Sequence, residues 1–271
     1  MLKLPRFPLD KTPDSVGLTY EDVFFPSRFD STLLRGWYLP GKRNMTLIIA
    51  NGGAQNRVDS ETGTLEISRD LVEKGYNLLL FDFRGRGESE GEGYHLVHSE
   101  KDLGGAVDYL RWRSPSANIG LMGFSTGAVA AIILASREEV AAVVADTCFA
   151  SVNGSLAKKL FIESGVPQIV TRVFAPLLFL TTRVLYGHRK ADPVSRVADI
   201  SCPILFIQGD SDDLVPVSDA QRLYQASGNA LDELWIVPRA GHTKSYKTKP
   251  TEFIEKVTGF LERAMKGQQP S

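Results

Sequence analysis

The 271-residue chain has little that would cross-link it or hold it in a membrane. It has two cysteines, Cys148 and Cys202, where a disulfide framework or a zinc site needs more ligands at closer spacing. Each lies at the end or start of a strand-like run and reads as a small buried apolar side chain. A run of about twenty uncharged apolar residues is also missing. The nearest, Val166 to Tyr186, is interrupted by Arg172, Pro176 and Arg183, so no integral membrane span is expected. Met1 to Pro8 carries basic residues but no continuous apolar stretch of the kind a secretory signal needs, which makes a cytoplasmic location the expectation. Excess charge is lacking as well. Lys plus Arg is 31 against 32 for Asp plus Glu, a net charge of −1, and this removes the bulk electrostatic basis for a nucleic-acid or anionic-membrane partner. No internal repeat or low-complexity segment is apparent.

What is present is an alternation of strand-like and helix-like runs, the pattern of a doubly wound α/β domain. Strands are expected at Glu21–Pro26, Leu33–Leu39, Met45–Ala50, Leu78–Asp82, Ile119–Met122, Val140–Asp146, Ile204–Gln208 and Glu233–Val237, the first two forming an antiparallel edge. Helices are expected at Glu61–Glu73, Lys101–Arg113, Thr126–Ser136, Ser218–Ser227 and Thr251–Met265. One domain of this size buries roughly 70–75% of its unfolded surface and needs no covalent staple.

The most informative segment is Gly123-Phe124-Ser125-Thr126-Gly127, which joins the strand-like Ile119-Gly120-Leu121-Met122 to the helix-like Ala128 to Leu134. A sharp strand-to-helix turn there strains the central residue and projects Ser125 Oγ from the sheet edge. The next residue, Thr126, opens the helix with an amide that has no intrahelical acceptor, where amide and helix dipole favour a developing oxyanion. In this context the segment resembles the nucleophile elbow of the α/β-hydrolase superfamily, whose acid and then histidine follow the serine in the chain. Of four histidines, His95 and His98 precede Ser125, and His188 precedes any acid that follows a late strand. His242 fits, in Pro238-Arg239-Ala240-Gly241-His242 just after the apolar run Leu234 to Val237.

The acid must then lie near Cys202 to Pro216, where an apolar strand runs into a turn with three carboxylates, Asp210, Asp212 and Asp213. One of them has to accept from the imidazole Nδ1–H, and chemistry alone does not choose among them. From about Tyr20 to Leu261 the chain resembles small-lid serine hydrolases related to dienelactone hydrolases and to the catalytic domains of prolyl-oligopeptidase-like enzymes. Those families show strand-Gly-x-x-Asp-x-x-Val-Pro, which falls here on Gly209 to Pro216 and implies Asp212. Asp146, at the end of an earlier strand, is the fallback.

The resemblance further implies a second oxyanion donor in the loop Asn51-Gly52-Gly53-Ala54-Gln55-Asn56, where the families commonly carry His-Gly-x-x. Gly53 is the implied donor through its backbone N–H, with Thr126 the other. Asn51 departs from the usual histidine and leaves open whether Gly53 or Ala54 donates. Phe81 to Gly91 is similar to the Asp-x-Arg-Gly-x-Gly-x-Ser segment of these hydrolases, and Arg84 reads as an anchor for that loop. It is not a dinucleotide fingerprint, because Glu90 stands where the third glycine belongs and Glu88 and Glu90 would repel a pyrophosphate. No cofactor and no metal are expected.

Residues 149–192 are irregular and stand where the superfamily inserts its lid. Gly154 to Ser164 and Val166 to Tyr186 read as apolar helices, with Pro176 kinking the second. Phe174, Leu177 and Leu178 are the expected wall of a substrate cleft. The expectation is therefore an α/β-hydrolase fold with a mostly parallel eight-stranded sheet and a small helical lid. The expected reaction is cleavage of carboxylic esters of short to medium acyl chain through an acyl-enzyme. A peptidase or thioesterase uses the same parts, and a hydrolase-fold binding protein without turnover is the reading from another class. The oligomeric state is not legible.

Overall fold

The computed structural model describes residues 6–92, 96–151 and 192–267. Its frame is one eight-stranded sheet made of β1 (Glu21–Pro26), β2 (Leu33–Leu39), β3 (Met45–Ala50), β4 (Asn77–Phe81), β5 (Asn118–Phe124), β6 (Ala142–Asp146), β7 (Ile204–Gly209) and β8 (Glu233–Val237). The strand order is β1-β2-β4-β3-β5-β6-β7-β8. As expected, β1 and β2 form an antiparallel edge, and every pairing from β4 to β8 is parallel.

Sequence dictates which strands sit in the middle. Met45-Thr46-Leu47-Ile48-Ile49-Ala50 is buried at every position, as are Ala142-Val143-Val144-Ala145-Asp146 and Ile204 to Gly209. Parallel strands covered on both faces need such runs, whereas the mostly exposed β1 needs apolar residues only at Val23 and Phe25. Side chains alternate between two cores. Ile48, Leu121 and Val143 face one, with Leu103, Ala131 and Leu223 from the helices above. Leu47, Ile49 and Met122 face the other, with Leu71, Val257 and Phe260.

The helices are α1 (Thr64–Glu73), α2 (Leu96–Arg113), α3 (Thr126–Ala135), α4 (Val217–Ala226), α5 (Ser245–Thr248) and α6 (Pro250–Gly267). α3 has no polar face between Gly127 and Ala135, all of which are buried, and it lies under the elbow as a core helix. α1 begins three residues later than the sequence suggests. The Asp59 carboxylate takes the Glu61 amide and the Thr62 hydroxyl, and Gly63 turns left-handed at φ 81°, which holds this stretch as a turn before the helix. α2 begins earlier than expected, at Leu96, and α5 falls where no element was expected. The expected lid at 149–192 and its wall residues Phe174, Leu177 and Leu178 lie outside the described residues, apart from the lid's first three positions and its last.

Because β3 and β5 to β8 run parallel, the loops leaving their carboxyl ends gather along one edge of the sheet. Those loops carry Gly53, Ser125, Asp212 and His242, and Asp146 is the last residue of β6.

Candidate active site

Ser125 joins β5 to α3 at φ 52° and ψ −116°, outside the regions open to ordinary residues. Such a conformation costs on the order of 1–3 kcal/mol and persists only where its surroundings hold it. One restraint is the Ser125 amide, which donates to the carbonyl of Asp146 on β6 at 2.9 Å. Another is the close approach that glycine allows. A Cβ on Gly127 would run into the Ala50 carbonyl at the end of β3, and one on Gly52 would lie 2.7 Å from both the Phe124 carbonyl and the Ser125 Cβ.

His242 arrives from the loop after β8. Its Nε2 lies 3.1 Å from Ser125 Oγ, and its Nδ1 lies 2.9 Å from Asp212 Oδ2. The Asp212 side chain is fully buried. Burial by itself would raise its pKa. The hydrogen bond and charge of His242, with the amides of Leu214 and Val215 donating to Oδ1 at 2.8 Å each, outweigh burial and hold the carboxyl below its ordinary range. Gln208 Nε2 adds a longer contact to Oδ2 at 3.3 Å. An ionised Asp212 only accepts, so Nδ1 carries the imidazole proton and Nε2 faces the serine as an acceptor. Of the three turn carboxylates, Asp212 is the one brought to the imidazole. Asp210 instead accepts from the Arg239 amide at 2.6 Å and the Ser211 hydroxyl at 2.9 Å, and Asp213 is exposed.

The loop after β3 lies against this elbow. Gly53 has φ 57°, and its N–H donates to Thr126 Oγ1 at 2.8 Å. Its carbonyl accepts from Arg86 Nε and Nη2 at 3.1 and 2.9 Å, a fork held by a side chain that is 1% exposed. Asn51, in place of the family's histidine, donates to the Asn56 carbonyl at 2.8 Å and accepts from the Thr64 hydroxyl at 3.2 Å. Arg84 is the expected loop anchor, with Asp102 and Asp30 as its carboxylates. Sequence reasoning missed Arg86, one of two arginines in a single glycine-rich loop. It also gave Asp146 only a reserve role.

Among the described residues no cluster of three or more His, Cys, Asp or Glu is placed to hold a metal ion, and no helix is long and apolar enough to cross a membrane. Cys148 and Cys202 are unpaired and buried, and burial pushes both thiols up, Cys202 to about 12.

A strained serine after a parallel strand, facing a histidine and a carboxylate from later strand ends, defines the class, and comparison with known proteins agrees. The family model described as serine aminopeptidase S33 matches residues 47–178. The uncharacterized Mycobacterium tuberculosis protein Rv2307c is 30% identical over 249 residues, covering 88% of this chain and 79% of that protein. The uncharacterized Bacillus subtilis protein YqkD is 29% identical over 235 residues, covering 84% and 75%. Among solved structures, the Pyrococcus furiosus esterase Pf2001 superposes with a TM-score of 0.81 at 28% identity, over 97% of this chain and 98% of that one. The chain belongs to the α/β-hydrolase superfamily, and its residues 47–178 are similar to the serine aminopeptidase S33 family.

Proposed function

We propose that this protein is a serine hydrolase that cleaves carboxylic esters of short to medium acyl chain through an acyl-enzyme. The observation that carries the reading is the relay Ser125 Oγ, His242 Nε2, His242 Nδ1, Asp212 Oδ2, with gaps of 3.1 and 2.9 Å. Ser125 Oγ attacks the ester carbonyl carbon while His242 Nε2 takes its proton. The carbonyl oxygen becomes an oxyanion beside the Thr126 and Gly53 amides, and Asp212 holds the imidazolium that has formed. Collapse expels the alcohol, which leaves with the proton from His242. Water then repeats the sequence on the acyl-serine, releasing the carboxylic acid and restoring the Ser125 hydroxyl.

The esterase named among the structural relatives supports ester over peptide, whereas the family description contains a peptidase. The acyl-length preference rests on Phe174, Leu177 and Leu178 in the sequence, each methylene buried against them adding up to ~0.8 kcal/mol until the cleft is filled. The test is labelling of Ser125 by a fluorophosphonate, followed by kcat/KM along a series of nitrophenyl esters of increasing acyl length and for an amide of one of the same acids. The reading requires labelling, a rise beyond acetate, and ester cleavage faster than amide cleavage. Faster amide cleavage moves the protein to the peptidase reading, and an unlabelled, inactive protein moves it to a binding role.

A further inference from the structure

Asp146 closes β6 with its side chain wholly buried, and it makes no side-chain hydrogen bond to Ser125, His242 or Asp212 among the bonds of the described residues. Its Oδ1 accepts from two hydroxyls, Thr147 Oγ1 at 2.8 Å and Ser245 Oγ at 3.0 Å. Its Oδ2 is buried with no hydrogen-bond partner among the described residues. A carboxyl that leaves one oxygen unsatisfied is an expensive way to fill a core position.

The geometry around it is strained in one direction. Five non-glycine residues of the described chain have positive φ, and three of them are Ser125, Thr147 and Thr243. Thr147 and Thr243 are β-branched, for which this region is a real outlier. Thr147 follows Asp146 and is held at φ 58° with its amide on the Ile207 carbonyl at 2.8 Å, while its hydroxyl turns back to Oδ1. Thr243 follows His242, and Ser245, fully buried at the start of α5, lies three residues beyond the histidine.

We propose that Asp146 is a positioning residue that ties the nucleophile elbow to the histidine loop, its main-chain carbonyl holding the Ser125 amide and its carboxyl holding Ser245. The assignment rests on the reading that His242 takes the Ser125 proton. Through this one residue the serine and the imidazole, carried by different strand ends, share a single anchor. Below about pH 7 the carboxyl accepts as the neutral acid. Burial pushes its pKa up to about 7 against the opposing hydrogen bonds from Thr147 and Ser245, and the charged groups that act on it are His242, which lowers it, and Asp212, which raises it. Asp146 places a second titrating group beside the relay, so the acid limb of activity is broader than a one-proton curve.

The experiment uses the full chain and three variants, Ser245→Ala, Asp146→Asn and Asp146→Ala, with kcat and KM for nitrophenyl butyrate from pH 5 to 9. It adds the rate of fluorophosphonate labelling, the thermal midpoint, and the imidazole resonances of His242 by nuclear magnetic resonance. Ser245→Ala keeps every group of the relay and should lose on the order of tenfold in kcat, with KM within about twofold, because a displaced imidazole slows the reaction without weakening substrate binding. Asp146→Asn preserves the acceptor oxygen and should keep kcat near neutral pH within about threefold, while the acid limb narrows to a one-proton curve. Asp146→Ala should be at least as impaired as Ser245→Ala. If it does not fold, Ser245→Ala and the Asp146→Asn profile decide. A role in stability alone would lower the thermal midpoint and leave kcat per folded molecule, the profile and the resonances unmoved, and that result overturns the proposal. If the parent protein neither labels nor turns over, the hydrolase reading fails on its own. The His242 resonances still answer, since unchanged signals in Ser245→Ala refute the anchor and shifted ones support it.

Discussion

The amide of Gly53 and the hydroxyl of Thr126 are joined by a 2.8 Å hydrogen bond that bridges the loop after β3 and the first residue of α3. The two residues implied as oxyanion donors are thus bonded to each other, with the Thr126 hydroxyl on the amide that an ester oxygen would seek. On the proposed mechanism the hydroxyl would hold the loop until an ester oxygen takes its place on the amide. Thr126→Val keeps the branched shape and loses the bridge, so kcat should fall on the order of tenfold, while Thr126→Ser stays within about threefold. Steady-state kinetics on one ester decide this, and a faster Val variant would mean that the hydroxyl only obstructs.

Ser125→Ala should lose on the order of 10⁴-fold or more in kcat, because such a relay acts as a unit and its loss exceeds the worth of any single hydrogen bond. Fluorophosphonate labelling should vanish with it. A variant that keeps most of the esterase activity places the nucleophile elsewhere.

Asp212→Asn should be far more damaging than Asp210→Asn or Asp213→Asn. An amide there can donate to Nδ1 and hold the wrong imidazole tautomer, an effect of about 10⁴ in the serine-protease case. Asp210 bonds to the Arg239 amide and the Ser211 hydroxyl, and its neutralisation should cost little activity. Equal activities for the three variants would refute the role given to Asp212.

Asp146 sets a pH dependence of stability opposite to that of Asp212. Its folded pKa, about 7, lies above the ordinary carboxylate value, so between pH 4 and pH 7 the folded chain binds a proton that the unfolded chain has released. That contribution is complete at the acid end and disappears as pH rises through about 7. For Asp212 the folded pKa is depressed, so its contribution is present above the ordinary value and is lost on acidification through the folded pKa. Thermal melts of Asp146→Asn against the parent should therefore show a stability difference that moves in favour of the variant from pH 4 to pH 8, by about 4 kcal/mol at most. A difference independent of pH would remove the titration from Asp146.

Arg57 and Asp82 form a buried pair, their side chains 1% and 0% exposed and Nη1 to Oδ2 at 2.5 Å, with the guanidinium stacked 4.0 Å over the Trp37 ring. Arg57→Met leaves the buried carboxylate its two backbone amides but not its charged partner, and should lower unfolding stability by about 3–5 kcal/mol in denaturant titrations. A loss under 1 kcal/mol would show that Asp82 is protonated or rehydrated in the variant.

The sheet was legible because its determinants are local. Val143-Val144-Ala145 and Ile204-Leu205-Phe206-Ile207 are short apolar runs rich in β-branched and aromatic residues, as a strand covered on both faces requires. Ser125 was legible because a glycine on either side of a strand-to-helix junction is needed for close backbone approach, and His242 because chain order left one candidate. Choosing Asp212 over Asp210 and Asp213 required the family pattern, since all three have the same chemistry and the turn that separates them depends on the Leu214 and Val215 amides. Arg86 on the Gly53 carbonyl and Asp146 beneath Ser245 were not legible. Each contact joins residues far apart in the chain, 33 and 99 positions, and no local pattern records which of many buried polar side chains will meet.

The same separation governs when the protein becomes competent. Ser125 and His242 stand 117 residues apart, and the histidine follows β8, three strands across the sheet from β5. During synthesis the serine leaves the ribosome well before the histidine has been translated, at ~5–20 residues per second, and the elbow strain must wait for Asp146 to arrive beside it. On the proposed mechanism, a chain halted before β8 would own a helix, a strand and a serine without owning a nucleophile. Chemical reactivity would then be a late event in the life of the molecule, a report that its last strand has docked.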